Sequence, residues 1–388
     1  LCVLVRIVVT IVFTVAMFER ASLAAEWYVV PTARVSSEYN DNPSLLSSGG
    51  TAVWGGDAEV AAKTGVRTAL TKVDLLSRLR FLRFPSEEKL NSNDQFFDLN
   101  ASHRLENTEL SLFGNYSRDG TRTSELEDTG IVQFNKRRIG WSLAPRVVHH
   151  LTQRTGVDVS LDYSDVKYDD SALTGLIDYT FGLADGSVVH QLSERDLLRA
   201  GVLFTRYDAP DQPYKANGYG IMGGIDHSFS DTLHGKLKVG FTSYEMDFST
   251  GGVPESGSTF VTSGLAEISK EFERTTLTSS LSNTVRPSGS GQLRERAQLL
   301  FAVQHKLTSQ LSGYASVQLF RDTSLLGGTS PDRKFVRFET WIRHQIAREW
   351  SFKATYRYLS QEETGVTADS NSIFLAFVYG GPKYATSR

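Results

Sequence analysis

The chain has 388 residues, 44 acidic and 41 basic side chains and a net charge of −3, and 40 % of it is hydrophobic. A near-neutral balance argues against a nucleic-acid partner, which favours a basic excess. The hydrophobic share lies below the roughly 45–50 % of ordinary globular domains, so a large dry core is excluded and many half-apolar strands around a wet interior are expected.

Residues 1–25 open with Arg6, run through the apolar stretch from Ile7 to Phe18, and close on the small residues Ala21-Ser22-Leu23-Ala24-Ala25. That order is the layout of a signal peptide. The apolar run, about 12 residues long, is short of the roughly 20 needed to span a bilayer as a helix. The expected organisation is therefore a signal peptide at 1–25 and a single domain at 26–388. Cys2, the only cysteine, falls in the segment expected to be removed. No disulfide, zinc cluster or cysteine nucleophile is then available to the mature chain.

From residue 26 onward no apolar run reaches helical spanning length, so membrane insertion requires a closed β-barrel. A His-x-apolar motif followed by polar turn residues recurs along the chain. It begins at His103, His149, His190, His227, Lys270 (where Lys replaces His), His305 and His344, at spacings of 46, 41, 37, 43, 35 and 39 residues. A period in this range marks a repeated supersecondary unit.

The segments on both sides of each motif alternate with period two. Val157, Val159, Leu161 and Tyr163 interleave with Asp158, Ser160 and Asp162; Ala297, Leu299, Phe301 and Val303 interleave with Gln298 and Gln304. Such segments are strands with one apolar and one polar face. Each motif is read as a tight turn. The polar stretches 119–129, 208–217, 249–258 and 322–333 are read as longer loops on the other side. An eighth turn is expected near Lys63–Arg67. Eight turns and nine loops make about 18 strands, within a range of 16–20. The fold class expected is all-β: a transmembrane antiparallel β-barrel with short periplasmic turns and longer extracellular loops. The final strand carries Ile373, Leu375, Phe377 and Tyr379 on one face, a pattern like the signal read by the outer-membrane assembly machinery. Nine residues follow Tyr379, where such signals usually end the chain.

The opening Trp27-Tyr28-Val29-Val30-Pro31, the segment Tyr39-Asn40-Asp41-Asn42-Pro43 and the repeat length resemble the outer-membrane β-barrel porins linked to exopolysaccharide and exosortase (PEP-CTERM-type) gene clusters. That resemblance implies passage of a polysaccharide through the outer membrane with export-machinery partners, and it supplies no catalytic residues. Asp41 and Asn42 read more simply as turn chemistry at a strand end than as calcium ligands.

No cofactor, metal site or enzyme activity is expected. The histidines sit at separate turns and cannot converge on one ion, and their half-apolar rings suit the membrane–water boundary. No Gly-x-Ser-x-Gly elbow is present, and Gly218–Gly224 lacks the spacing of a nucleotide loop. The functional candidates are inward-facing charges. By parity, Arg78, Arg80, Arg146, Lys236, Lys238, Arg294, Arg296, Arg337, Glu339, Arg343 and Arg357 are candidate pore-lining residues, with Tyr314 and Trp341 as inward aromatics. The competing reading is that these charges pair with one another and fill the interior. The leading expectation is a polysaccharide-export channel, narrowed by a plug from the long loops. The alternatives are a porin for small anionic solutes and a non-conducting structural barrel.

Overall fold

A computed structural model describes residues 25–132, 134–212, 214–250, 253–325 and 332–387. The expected signal peptide therefore lies almost entirely outside the described residues. Eighteen long strands run in chain order: β1 Glu26–Asn40, β2 Val53–Arg67, β3 Thr71–Arg83, β4 Ser92–Arg104, β5 Thr108–Gly120, β6 Arg137–His150, β7 Thr155–Tyr168, β8 Tyr179–Gln191 and β9 Asp196–Ala209 make the first half. The second half is β10 Tyr214–Ser230, β11 Leu233–Thr250, β12 Val253–Glu271, β13 Thr275–Pro287, β14 Leu293–Lys306, β15 Leu311–Ser324, β16 Arg333–Gln345, β17 Trp350–Glu363 and β18 Val366–Gly380. Each pairs antiparallel with the next, and β1 closes the ring on β18 through Thr32↔Gly380 to Asn40↔Ser372.

The residues beyond Tyr379 have a structural role. After a break at 381–383 the short β19, Tyr384–Ser387, pairs with Glu26–Val29 of β1. It completes the part of the seam that β18 is too short to cover, so the β1 ladder has a partner along nearly its whole length.

All seven motif turns are present. The eighth follows β2 at 68–70, so Lys63–Arg67 are strand residues and the expected position was several residues early. The reason is chemical: Thr68 Oγ1 accepts the backbone N–H of Thr71 at 2.9 Å, as Thr152 does for Thr155 at 3.0 Å and Thr308 for Leu311 at 2.9 Å. A hydroxyl that mimics the backbone acceptor, rather than Gly65, makes the turn. The motif histidines are not in the turns but close to the strand ends before them. In five of them Nδ1 meets the first residue of the partner strand: His103–Thr71, His149–Thr108 and His305–Thr275 at 2.8 Å, His190–Thr155 at 2.9 Å, His227–Asp196 at 2.6 Å. One exposed apolar residue follows in each turn, such as Leu151, Leu192 and Phe272.

Two expected loops are mostly strand. Residues 208–217 and 249–258 form the tips of β9–β12, where Thr250 pairs with Val253. Strands of 17, 18 and 19 residues in β10–β12 exceed the 9–11 needed to cross a bilayer, so this hairpin pair stands above the rim. Gly218 sits where the Tyr244 ring crosses the strand: a Cβ there would lie 2.6 Å from Tyr244 Cε1. Close packing of an aromatic on the wall accounts for that glycine.

Alternation sorts the side chains. Val35, Trp54, Phe260 and Ile221 point outward and are 61–65 % exposed, while their sequence neighbours face the interior. A closed barrel with an apolar outer belt and a polar inner face is built for lipid outside and water inside. The protein is an outer-membrane β-barrel. The side with the eight short turns, which also carries the start of β1, is the periplasmic side.

Candidate functional site: the lumen and its inward loop

The cross-strand register places all eleven sequence-predicted residues on the inner face. Most are in ion pairs. Arg78 meets Asp98 at 3.2 Å and Arg80 meets Asp57 at 3.6 Å. Arg146 donates two bonds to Asp158, from Nε at 2.7 Å and Nη2 at 2.6 Å, and Arg199 reaches the same carboxylate at 2.7 Å. Glu339 joins Arg337 at 2.7 Å and Arg357 at 2.9 Å. Lys236 stands opposite Asp226 and Glu267, and Lys238 opposite Gly224 and Leu265. Arg294 is buried at the start of β14. Arg343 remains exposed to the lumen. Some of these charges therefore form pairs across the inner face and others stay exposed on it. Tyr314 and Trp341 also face inward and stack at 5.4 Å.

The dominant feature is the 121–136 segment between β5 and β6. It turns into the barrel and reaches the wall formed by β14–β16, half the circumference away. It begins with a helical turn at Thr121–Ser124. Two groups of bonds hold it, one on each side of the lumen.

On its own side Glu125 is fully buried. Tyr168 Oη donates to Glu125 Oε1 at 2.8 Å, Thr129 Oγ1 donates to Oε2 at 2.9 Å, and Arg138 Nε lies 3.3 Å from Oε1. Burial, aided by the nearby Asp128 carboxylate, pushes the Glu125 carboxyl up to about 7, against the pull of Arg138, Tyr168 and Thr129. Removing a carboxylate from water disfavours its charged form even with a cation close by.

On the far side three arginines grip consecutive residues of the segment. Arg333 donates to the Leu126 carbonyl at 2.7 Å and the Asp128 carbonyl at 2.6 Å. Arg296 donates to the Glu127 carbonyl at 2.6 Å and forms a two-bond fork with Asp322 at 2.6 Å. Arg337 bonds the Glu127 carboxylate. The guanidinium of Arg296 also lies 3.6 Å over the Phe320 ring, which stacks on Phe335 at 4.7 Å. Charge-assisted bonds to backbone carbonyls, set on aromatic faces, hold a loop more firmly than exposed ion pairs. Gly130 turns the segment with φ +77, and an added Cβ would collide with the Gln361 amide, so no other residue fits there without strain.

Apolar packing fills the spaces around this crossing. Tyr168, Leu176, Tyr179, Tyr207, Tyr214, Tyr244 and Leu293 form one cluster with Ile131 and Ile177 against it. Leu45, Val132, Phe320, Phe335 and Leu359 form a second with Leu126, and Val53, Leu82, Phe84 and Leu90 a third. All three lie in the extracellular half, which is capped by folded loops. No such apolar cluster fills the periplasmic half among the described residues, where the buried inner groups are mostly polar, such as Asp74 and Asp158.

Sequence parity missed Glu125, Glu127, Asp128, Asp322 and Arg333, because all five were read as loop. Asp322 in fact lies in β15, two residues before its end, and Arg333 begins β16. A signal was present in Arg333-Lys334-Phe335-Val336-Arg337, which continues the alternation of β16 in the N-terminal direction. Nothing comparable marks 121–136 as an inward loop. Asp41 behaves as turn chemistry: its carboxylate accepts the backbone N–H of Asn371 at 2.7 Å and the Asn371 side-chain amide at 2.8 Å. Among the described residues no group of three or more His, Cys, Asp or Glu is placed to hold a metal ion.

No family model matches the sequence, and no curated protein matches it. Among solved structures, OccAB3 of Acinetobacter baumannii is similar at 13 % identity and a TM-score of 0.49, covering 93 % of this chain and 99 % of that one. OccK2 (OpdF) of Pseudomonas aeruginosa, solved with glucuronate, is similar at 10 % identity and a TM-score of 0.48, covering 91 % of this chain and 98 % of that one. The copper transporter OprC is similar at 12 % identity and a TM-score of 0.49; this chain spans 64 % of its length. Values of this size describe barrels of comparable form and carry nothing about cargo.

Proposed function

We infer that the protein is a gated outer-membrane channel for small anionic solutes. The observation that carries this reading is the transverse charge asymmetry of the lumen. On the inner face of β13–β17 basic side chains outnumber acidic ones, with Arg286, Arg296, Arg337, Arg343, Lys353 and Arg357 set against Asp322, Glu339 and, at the rim, Glu363. On the nearly opposite wall, β5–β8, acids outnumber bases on the same inner face, with Glu109, Asp119, Asp158, Asp162 and Asp185 set against Arg138 and Arg146. A field across a narrow wet passage orients and selects charged solutes. Barrels of 16–18 strands are wide enough for such a passage, and the 121–136 crossing supplies the constriction.

Export of a polysaccharide, with export-machinery partners, was the leading expectation from the sequence. The packed extracellular half weighs against it, because a polymer needs a continuous path and here three apolar clusters would have to be displaced. A solute channel needs only the segment to shift.

The test is single-channel recording of the purified protein in a planar bilayer, with reversal potentials in a salt gradient, on the wild type and on a variant with residues 126–129 replaced by Gly-Ser. Larger conductance steps in the variant and an anion-directed reversal potential are expected. A correctly folded, heat-modifiable barrel that stays silent in both forms would overturn the channel reading in favour of a structural barrel. Cation preference would overturn the anionic one.

A further inference from the structure

We propose that the periplasmic half of the lumen carries a binding row for small organic carboxylates, built by Lys306, Arg343 and Lys353 beside the Tyr314–Trp341 shelf. This rests on the reading of the lumen as a solute route and names the chemistry that the route selects.

The row follows from the ladder. Lys306 is in register with Ser312, Ser312 with Arg343 and Arg343 with Lys353. The four side chains therefore lie side by side on the inner face of β14–β17. Arg343 and Lys353 are direct cross-strand neighbours, and like charges in that position repel. Elsewhere on the inner face, close basic groups are compensated: Arg337 and Arg357 share Glu339, Arg146 and Arg199 share Asp158, and Arg296 and Arg333 both approach Asp322. The inner-face carboxylate closest to this row along β16, Glu339, is already engaged by Arg337 and Arg357. Among the described residues no carboxylate lies within ion-pair distance of Lys306, Arg343 or Lys353. The compensated pairs each share a carboxylate and this row has none, which keeps it available to an anion from solution.

The register row on the extracellular side of it is Gln304, Tyr314, Trp341 and Thr355. Tyr314 and Trp341 stack at an interplanar angle of 14°, and the Lys353 ammonium lies 4.9 Å from the Trp341 ring centre. That contact holds the lysine over the indole and fixes its head next to Arg343. The planar guanidinium of Arg343 matches a carboxylate with two parallel bonds. The aromatic edges above the row offer contact to the carbon skeleton of an organic acid, which an inorganic anion lacks. The row lies on the periplasmic side of the capped region, so a bound acid waits below the loop that crosses the lumen.

The experiment is titration of the full-length protein in detergent with sodium succinate, read by tryptophan fluorescence and by calorimetry, with inorganic phosphate in parallel and conductance measured on the same preparations. Saturable succinate binding is expected, with at least tenfold weaker binding in R343S/K353S. W341F should keep the calorimetric signal and lose most of the fluorescence change. Arg78→Ser, an inner-face arginine on a different wall, controls for general loss of charge and should bind as wild type. Absence of saturable binding, equal binding of phosphate, or an unchanged double variant would overturn the proposal. Conductance without succinate binding removes this site and leaves the channel. Binding without conductance leaves the site and removes the channel.

Discussion

At the extracellular end the inward side chains of β9, β14 and β16 are packed away: Tyr207, Arg296 and Arg333 are buried. At the periplasmic end of β14 and β16, Lys306 and Arg343 are exposed to the lumen. The strands are continuous and the inner-face alternation is the same at both ends. What differs is whether a loop returns into the barrel to cover them. A barrel wall alone fixes which face a residue points to; covering segments decide whether a charge there is a structural anchor or an available ligand. Arg333 and Arg343 stand on the same face of the same strand and illustrate the two outcomes.

That contrast can be broken most directly at the far-side grip. Arg296→Ala leaves Asp322 buried without its fork, and breaking a buried pair costs roughly 3–5 kcal/mol. Because about 1.4 kcal/mol is a factor of ten, the capped state should lose most of its population. Bilayer recordings should show open probability rising by more than tenfold. An unchanged open probability would mean that the Arg296 fork does not hold the segment and that the remaining contacts, Arg333 and Arg337 among them, suffice.

Acidity should tune the same cap from the other side. The folded Glu125 carboxyl titrates near 7, above its ordinary value of about 4.3, so the seated loop binds the proton more tightly than the released loop. Its stabilisation is complete at acidic pH below that ordinary value and is lost as pH rises through about 7, an effect on the order of 3 kcal/mol. Channel opening should therefore increase between pH 5 and pH 8, and E125Q should flatten that curve and stay closed. A steep curve that survives in E125Q would assign the titration to another group.

Gly130→Ala tests the turn of the segment. A Cβ at φ +77 against Gln361 should cost about 1–2 kcal/mol and raise opening by several-fold at constant pH. A still smaller effect is expected from Tyr207→Phe, which removes the 3.0 Å bond from the Tyr207 hydroxyl to the Ser288 carbonyl. About 1 kcal/mol is at stake, visible as a lower temperature of heat modification on gels. The smallest belongs to the periplasmic rim. His149→Ala removes an exposed bond to Thr108 and should change neither open probability nor its pH dependence, because no part of the cap touches that rim.

Strand number, antiparallel order and inner-face assignment were legible in the sequence because alternation repeats over 13 or more residues per strand. A one-residue error in register would invert every side chain in the strand, so the pattern has little freedom. The repeated His-x-apolar motif was legible for the same reason: it recurs at one place in each hairpin, where the ring reaches the first residue of the neighbouring strand. The Thr68 turn was misplaced because a hydroxyl acceptor gives a weaker signal than glycine.

The sequence by itself determined a closed antiparallel barrel of about 18 strands, within 16–20, with its apolar face to lipid, since period two and the need to satisfy every backbone group in a membrane allow few other solutions. Only the tertiary structure decided that residues 121–136 cross the lumen, that Arg296 and Arg333 serve as anchors and that Arg343 and Lys353 stay open. Those outcomes depend on contacts between residues some 170 to 210 positions apart, such as Glu127 with Arg296 and Leu126 with Arg333. No local period encodes such a contact, and it forms only once the wall has closed and brought the two sides within a loop's reach.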